Sequence, residues 1–478
     1  MSIIKRLPKS FTVSDEYFNK RISLSKKQIE DEQNKLFRQA YFLAWDNVRF
    51  YQERFKKHGL SRNSVTGIKD IDKLPFMSAD DIIATEANKR SSSDFLAVPQ
   101  RDVSLVHTSS GTTGRCKVLA YTGSDIINWA SNVATCFWIM GFRKNDIFVS
   151  FDPFGEYTGG GGLYLGLTML GVTYIPISVG PGVTEKVVAH ITGKWRLGKR
   201  EIELDPLQIA NAIGGIPSFV PRIEEVLNNY GLDPSSFMLR KGAFGAEPWS
   251  EAFRNKIEKR FGIDARDMYG LGEFLGPGVA AECGQKKGLH VLSDAFIAEV
   301  IDPKTGQHVR ESEEGELVLT SLKKEAMPFL RYRTGDRTVY MGRDCGCGIK
   351  HQKIGRISGR MNKDEIILPG GVVVKRVCLE EIILSEDGLG TEYKFAVLPV
   401  SDKAISKLHI VVEGDMSKAD KISASLTKKI QVQYNHQPII KILPQGKIPR
   451  NPGKAKRIFS LEEYNDLLFN GTGLDKEK

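Results

Sequence analysis

At 478 residues the chain is too long for one ordinary domain and long enough for two or three with well-buried cores. Apolar residues make up 41% and charged residues 26%, which excludes disordered and fibrous classes, and no apolar run is long enough to cross a bilayer. The net charge of +10 arises from Lys and Arg interspersed with Asp and Glu; this describes a solvated surface with sites for anionic ligands, without the pattern of a nucleic-acid module.

The opening residues, Met1-Ser-Ile-Ile-Lys-Arg, place charges where a signal peptide needs its apolar stretch, so a cytoplasmic location without membrane attachment is expected. Six cysteines stand at 116, 136, 283, 345, 347 and 378; in such a compartment they are not expected to form a disulfide frame.

In chain order, Leu36, Ala40, Leu43, Val48, Tyr51 and Phe55 recur at helical spacing, which predicts helix over residues 27–57 with a stop at Gly59. Ser78 followed by Asp81 reads as a helix cap. From about 100 to 340, β-rich runs (146–151, 172–177, 316–320) alternate with helical patterns (221–230, 252–261), which predicts an α/β domain on a mainly parallel sheet. Residues 298–320 read as a hairpin turned at 302–306, so a strand-rich subdomain is expected to follow the core. After Arg360 the texture changes to short strands (366–368, 407–412, 439–442) and a helix (418–434), a separate α+β domain. The expected division is 1–359 and 360–478.

Four segments carry chemistry. His107-Thr-Ser-Ser-Gly-Thr-Thr-Gly-Arg-Cys-Lys117 combines glycines, hydroxyls and two cations, as a loop around a polyphosphate requires, without Walker spacing. Tyr269-Gly-Leu-Gly-Glu273 places a carboxylate in a Gly-rich turn, where a hard cation such as Mg²⁺ would find an oxygen ligand. Arg331-Tyr-Arg-Thr-Gly-Asp336 ends a strand-like run in an Asp suited to a ribose diol. Lys454, after Pro452-Gly453, stands on a loop able to reach another domain. Taken singly, each also reads as an ordinary solvated turn or loop.

Together with Gly245-Ala-Glu-Pro248 and Gly359-Arg360, these segments fall in the order and spacing of the adenylate-forming superfamily of acyl-CoA synthetases, adenylation domains and luciferases. Within it the chain resembles the phenylacetate-CoA ligase family, through Phe244-Gly-Ala-Glu-Pro-Trp-Ser250, Gly276-Pro-Gly-Val-Ala-Ala-Glu-Cys283, Gly288-Leu-His290 and Trp45-Asp-Asn-Val-Arg-Phe-Tyr51. The resemblance covers roughly residues 25–460.

The resemblance implies roles. Ser109, Ser110, Gly111, Thr112, Thr113 and Gly114 would hold the β,γ-phosphates of ATP, with Arg115 and Lys117 supplying charge. Gly245, Ala246, Glu247, Tyr269, Gly270 and Arg356 would complete the nucleotide site, and Asp336 would accept the ribose hydroxyls. Lys454, Glu273 and Lys117 are the candidate catalytic groups, with Glu273 as the Mg²⁺ ligand. Phe151, Phe154, Tyr157, Phe219 and Phe244 fall where the family lines its acyl pocket, which suggests an aryl acid.

The implied hinge lies at Arg360 and Asn362, where Asp or Lys is usual at the latter position. Gly371-Val-Val-Val-Lys-Arg376 replaces the family's Gly-Val-Asn-Val-Phe-Pro stretch, and Cys116 replaces a proline. The first two departures bear on the thiol acceptor. Beside CoA, an amine or carrier protein is therefore kept as acceptor, and a non-catalytic nucleotide-binding relative as a third reading. A homodimer is kept as an assembly.

Cys345-x-Cys347 is too tight for a relaxed disulfide and matches a metal knuckle; with Cys283 and His290 it makes a closed Cys₃His set, which relatives with this pattern use for structural zinc. His351 is a substitute ligand candidate.

Overall fold

The computed structural model describes residues 11–87, 92–108, 117–152, 154–155, 158–178, 182–197, 200–399, 406–450 and 454–469. By internal packing the chain divides into two units. The first holds Met1–Gly215, Arg240–Ala246 and Arg266–Ile357; the second holds Ile216–Leu239, Glu247–Ala265 and Ser358–Lys478.

The first unit opens with helices. The stretch expected as helix over 27–57 is two helices, Lys26–Asn47 and Arg49–Lys57. Between them Val48 takes extended backbone while its side chain is fully buried, so the apolar period runs on through a break it does not reveal. Ser25 and Gln28 close a capping box at the start. His58 ends the second helix, with Gly59 beyond it in the left-handed region.

An eight-stranded sheet runs Lys353–Ile354, Leu289–Val291, Ala280–Glu282, Asp264–Tyr269, Lys241–Gly245, Ala212–Gly215, Ile147–Ser150, Thr173–Pro176. The last four strands are parallel, as the alternation of strand and helix requires, and the first four pair antiparallel. A second sheet orders Met77–Ser78, Tyr332–Val339, Glu314–Ser321, Phe296–Ile301. Its hairpin pairs Glu299 with Val318, and the Asp302 carboxylate accepts the N–H groups of Lys304 and Thr305 at the expected turn.

In the second unit, Leu389–Pro399 pairs antiparallel with Ser406–Gly414, which pairs parallel with Ile439–Leu443. The helices Arg376–Leu384, Ala419–Tyr434 and Leu461–Phe469 complete this α+β part. Helices Val220–Asn229 and Glu251–Phe261 belong to the same unit for a visible reason. Ser250 N–H donates to Glu380 (2.7 Å) and Ala252 N–H to Glu381 (2.8 Å), so distant carboxylates cap the open N-terminus of Glu251–Phe261.

Candidate active site

The strand Asp264–Tyr269 ends in a tight turn that carries Glu273. A Cβ at Gly270 would stand 2.8 Å from the Pro277 backbone, so only glycine lets this turn fold back on itself. Two carbonyls of the turn are tied down by side chains: Tyr121 donates to the Gly272 carbonyl (3.1 Å) and the Lys324 ammonium to the Glu273 carbonyl (3.0 Å). The Glu273 carboxylate, 4% exposed, accepts the Tyr332 hydroxyl at 2.7 Å and pairs with the Lys117 ammonium. Burial pushes this carboxyl up, but the Lys117 charge and the two hydrogen bonds outweigh it and hold Glu273 below its usual range.

Lys324 is a buried cation that sequence reasoning missed. It is 3% exposed and faces the rings of Tyr121 and Phe329 as well as the Glu273 carbonyl. Burial pushes it down to about 8, against the pull of Asp125 and Glu273. Its signal in the sequence is a charge set between Leu322 and the run Ala326-Met-Pro-Phe-Leu330, all of whose apolar side chains are buried.

The strand Tyr332–Val339 alternates buried and half-buried positions, which puts Tyr332, Thr334 and Asp336 on one face. On that face Tyr269 Oη donates to Asp336 Oδ2 at 2.7 Å. Thr334 Oγ1 accepts the Asp336 N–H (3.0 Å) and donates to the Leu317 carbonyl, which fixes the aspartate's backbone. Arg356 Nε donates to Asp267 Oδ2 at 2.9 Å. Gly245 approaches the next strand so closely that a Cβ would meet the Met268 carbonyl oxygen at 2.3 Å, and Ala246 sits at φ +69°, a strained conformation for alanine.

Of the aromatic candidates, Phe151, Phe219 and Phe244 are buried, whereas Phe154 is exposed and meets Tyr164 edge-on. Tyr157, Arg115 and the loop Ser109, Ser110, Gly111, Thr112, Thr113, Gly114 lie outside the described residues.

In the second unit Lys454 is exposed. Next to it, Ala455 N–H donates to Ser218 Oγ (3.3 Å), and Ser218 N–H donates to Glu247 Oε1 (2.7 Å). At the implied hinge Asn362 takes φ +63°, where asparagine is among the few side chains tolerated, and its N–H donates to Glu365. Arg360 N–H donates to Asp364 (3.0 Å). Arg376, one of the departures from the family pattern, is a buried hub held by Asp364, Glu380, Tyr393 and the Pro248 carbonyl. Its use is packing.

Cys283, His290, Cys345 and Cys347 converge in the first unit, with ligand atoms all within 4.8 Å of one another. Cys283 Sγ stands 3.7 Å from Cys345 Sγ, and His290 Nε2 stands 3.3 Å from Cys347 Sγ. A tetrahedral zinc with bonds of about 2.3 Å to sulfur needs edges of about 3.8 Å, so the donor set fits. Burial pushes His290 down to about 4, leaving the imidazole unprotonated at neutral pH, as a ligand must be. His351 is not part of this set. Its Nδ1 accepts the Ser293 N–H (2.9 Å) and its Nε2 stands 3.1 Å from the Arg21 carbonyl, so both ring nitrogens are engaged elsewhere.

The family model described as AMP-binding enzyme matches residues 52–322. A phenylacetate-coenzyme A ligase of Pseudomonas putida is 34% identical over 423 residues, covering 87% of this chain and 90% of its own length. One of Thermus thermophilus is 30% identical over 460 residues, covering 92% and 98%. The crystal structure of 2-hydroxyisobutyryl-CoA ligase in the postadenylation state with 2-HIB-AMP superposes with a TM-score of 0.82, covering 97% of this chain and 96% of its own at 21% identity, which establishes the shared fold.

Proposed function

Because the chain belongs to the AMP-binding enzyme family, in its phenylacetate-CoA ligase-like branch, we propose that it activates an aryl acid with ATP and passes the acyl group to coenzyme A. The substrate carboxylate attacks the α-phosphorus of ATP and pyrophosphate leaves. The CoA thiolate then attacks the acyl carbonyl, AMP leaves, and the thiol proton goes to solvent.

The observation that carries this reading is a single strand serving two sites. Tyr332 reaches Glu273 and Lys117, and four residues on, Asp336 meets Tyr269. The two positions are separated by about 13 Å of extended chain, the length scale of a nucleoside triphosphate. Asp336 holds the ribose diol, with Tyr269 beside the base. Lys117 and the 109–114 loop hold the phosphates. Glu273 would hold the magnesium ion of Mg·ATP, whose chemistry there is to neutralise charge on the phosphate oxygens. Before nucleotide binds, Lys117 compensates Glu273; binding exchanges that pair, so Lys117 turns to phosphate while Glu273 keeps a cation.

Two anions must meet, and positioning plus a cation where charge accumulates supplies the rate. Lys454 brings that cation, carried by a mobile domain formed by residues 360–478. Cys283, His290, Cys345 and Cys347 would hold a structural zinc, which would cross-link the 280–291 hairpin to the 342–353 loop.

A pyrophosphate-release assay over substituted benzoates and arylacetates, with and without CoA, tests the reading. Acid-dependent release with aryl-CoA as product is expected. Release indifferent to CoA but trapped by an amine or carrier protein overturns the acceptor, and silence across the panel overturns the activity.

A further inference from the structure

The loop that bears Lys454 is fastened on both sides by buried groups of the second unit. On its C-terminal side, Ala455 N–H donates to Ser218, the Lys394 ammonium donates to the Lys456 carbonyl (2.6 Å), and Arg457 pairs with Glu392 (2.7 Å). On its N-terminal side there is one fastening of a different kind. Arg450 lays its fork on Glu413, Nη1 to Oε1 at 2.9 Å and Nη2 to Oε2 at 2.8 Å, while its Nε donates to Glu225 at 2.8 Å. Glu413 is fully buried in the strand Ser406–Gly414 and also accepts the Ile448 N–H, so it cannot follow the arginine if the loop shifts. Glu225 comes from the helix Val220–Asn229, the same part of the chain as Ser218.

One arginine between two carboxylates is over-determined for a surface loop. A planar guanidinium held by a bidentate pair and a third hydrogen bond has one favoured orientation, and this restrains the backbone it hangs from. Three residues separate it from Lys454, and the four Cα-to-Cα steps make a tether of at most about 14 Å. Resting on the assignment of Lys454 to adenylation, we propose that Arg450 is a positioning residue: held by Glu413 and Glu225, it sets where the Lys454 ammonium stands during acyl-adenylate formation and takes no part in the chemistry itself.

The test uses the full chain with phenylacetate as probe acid. Two half-reactions are read: phenylacetate-dependent ATP–pyrophosphate exchange, and thioester formation from synthetic phenylacetyl-adenylate with CoA. R450M is expected to lower exchange about 10- to 100-fold, the cost of misplacing a reacting group by about an ångström, with KM for ATP within about twofold. E225Q, which leaves the Glu413 fork in place, is expected to fall between wild type and R450M. Thioester formation is expected within about threefold of wild type in both, because a positioning role for Lys454 touches only the first half-reaction.

The decisive comparison is R450M/K454A against K454A. If Arg450 acts through Lys454, the double variant is no slower than K454A alone. Effects that multiply, or equal losses in both half-reactions, overturn the proposal. Wild-type exchange in K454A refutes the role of Lys454 itself; loss in K454A beside wild-type exchange in R450M refutes only the anchor. Hydrogen exchange gives an answer independent of the acid. Amides at 447–450 and 454–458 are expected to exchange faster in R450M than in wild type, and unchanged protection there overturns the anchor whatever acid the enzyme takes.

Discussion

The Tyr332 hydroxyl donates to Glu273 Oε1 at 2.7 Å, and the same carboxylate takes the Lys117 ammonium. Glu273 thus stays ionised in the apolar interior with one neutral and one charged partner. In the proposed reaction Lys117 would turn to phosphate; the tyrosine would then be the partner that remains, aiming the carboxylate at the cation. Tyr332→Phe removes one hydrogen bond to a charged group, worth about 1.5–3 kcal/mol. It is expected to raise KM for Mg·ATP roughly 10-fold or more while leaving KM for the acid alone; steady-state kinetics with Mg·ATP varied checks this, and an unchanged KM contradicts it.

Asp336 is fixed by Thr334 and met by Tyr269, and in the proposed reading its carboxylate would accept the two ribose hydroxyls. Wild type is expected to discriminate against 2′-deoxy-ATP by about 10- to 100-fold, a hydrogen bond of about 1.5–3 kcal/mol left unmade. Asp336→Ala is expected to lose that preference along with affinity. Competition between the two nucleotides measures it; retained discrimination in the variant would move the ribose site elsewhere.

Lys324 links function to stability. Burial holds its ammonium at about 8 against 10.5 for a free lysine, so between those pH values the unfolded chain binds more protons than the fold. Stability therefore rises with pH across that window, and below it the fold carries a penalty of about 3 kcal/mol. Lys324→Met removes this penalty and loses one hydrogen bond to the Glu273 carbonyl, worth about 1 kcal/mol. The variant is expected to melt higher than wild type at pH 7, with the gap closing by pH 10, and to turn over more slowly because the Glu273 turn has lost a tie. Melting curves at the two pH values decide it; a variant less stable at pH 7 contradicts the sign.

The four-residue Cys/His cluster lies on strands and a loop of the first unit. Cys345→Ser is expected to lose bound zinc and lower the melting temperature by several degrees, with KM for ATP near wild type. Metal analysis and calorimetry read both, and wild-type protein isolated without chelator yet devoid of zinc would dispose of the assignment.

Much of this was legible in residue order. Glycines around a carboxylate mark the Glu273 turn because a close-packed backbone excludes any Cβ at Gly270. The strand and helix alternation gave the parallel half of the large sheet. What escaped depends on tertiary neighbours. Lys324 reads as one of a run of surface charges until the rings of Tyr121 and Phe329 close over it. His351 reads as a ligand until Ser293 and Arg21 claim its nitrogens. The break at Val48 is invisible because a buried valine keeps the helical period on both sides. The segments 216–239 and 247–265 join the second unit through contacts from Glu380, Glu381 and Arg450, which no local pattern encodes.

The proposed adenylation turns on the Lys454 ammonium meeting two anions, the substrate carboxylate and the α-phosphate, as the adenylyl group passes to the carboxylate and pyrophosphate leaves. Acid-dependent ATP–pyrophosphate exchange in Lys454→Ala, with ATP affinity measured separately by calorimetry, is its most direct test. Exchange is expected to fall at least about 100-fold, the scale of removing one preorganised group that stabilises developing charge, while the dissociation constant for ATP stays within about twofold. Exchange at the wild-type rate in that variant contradicts it.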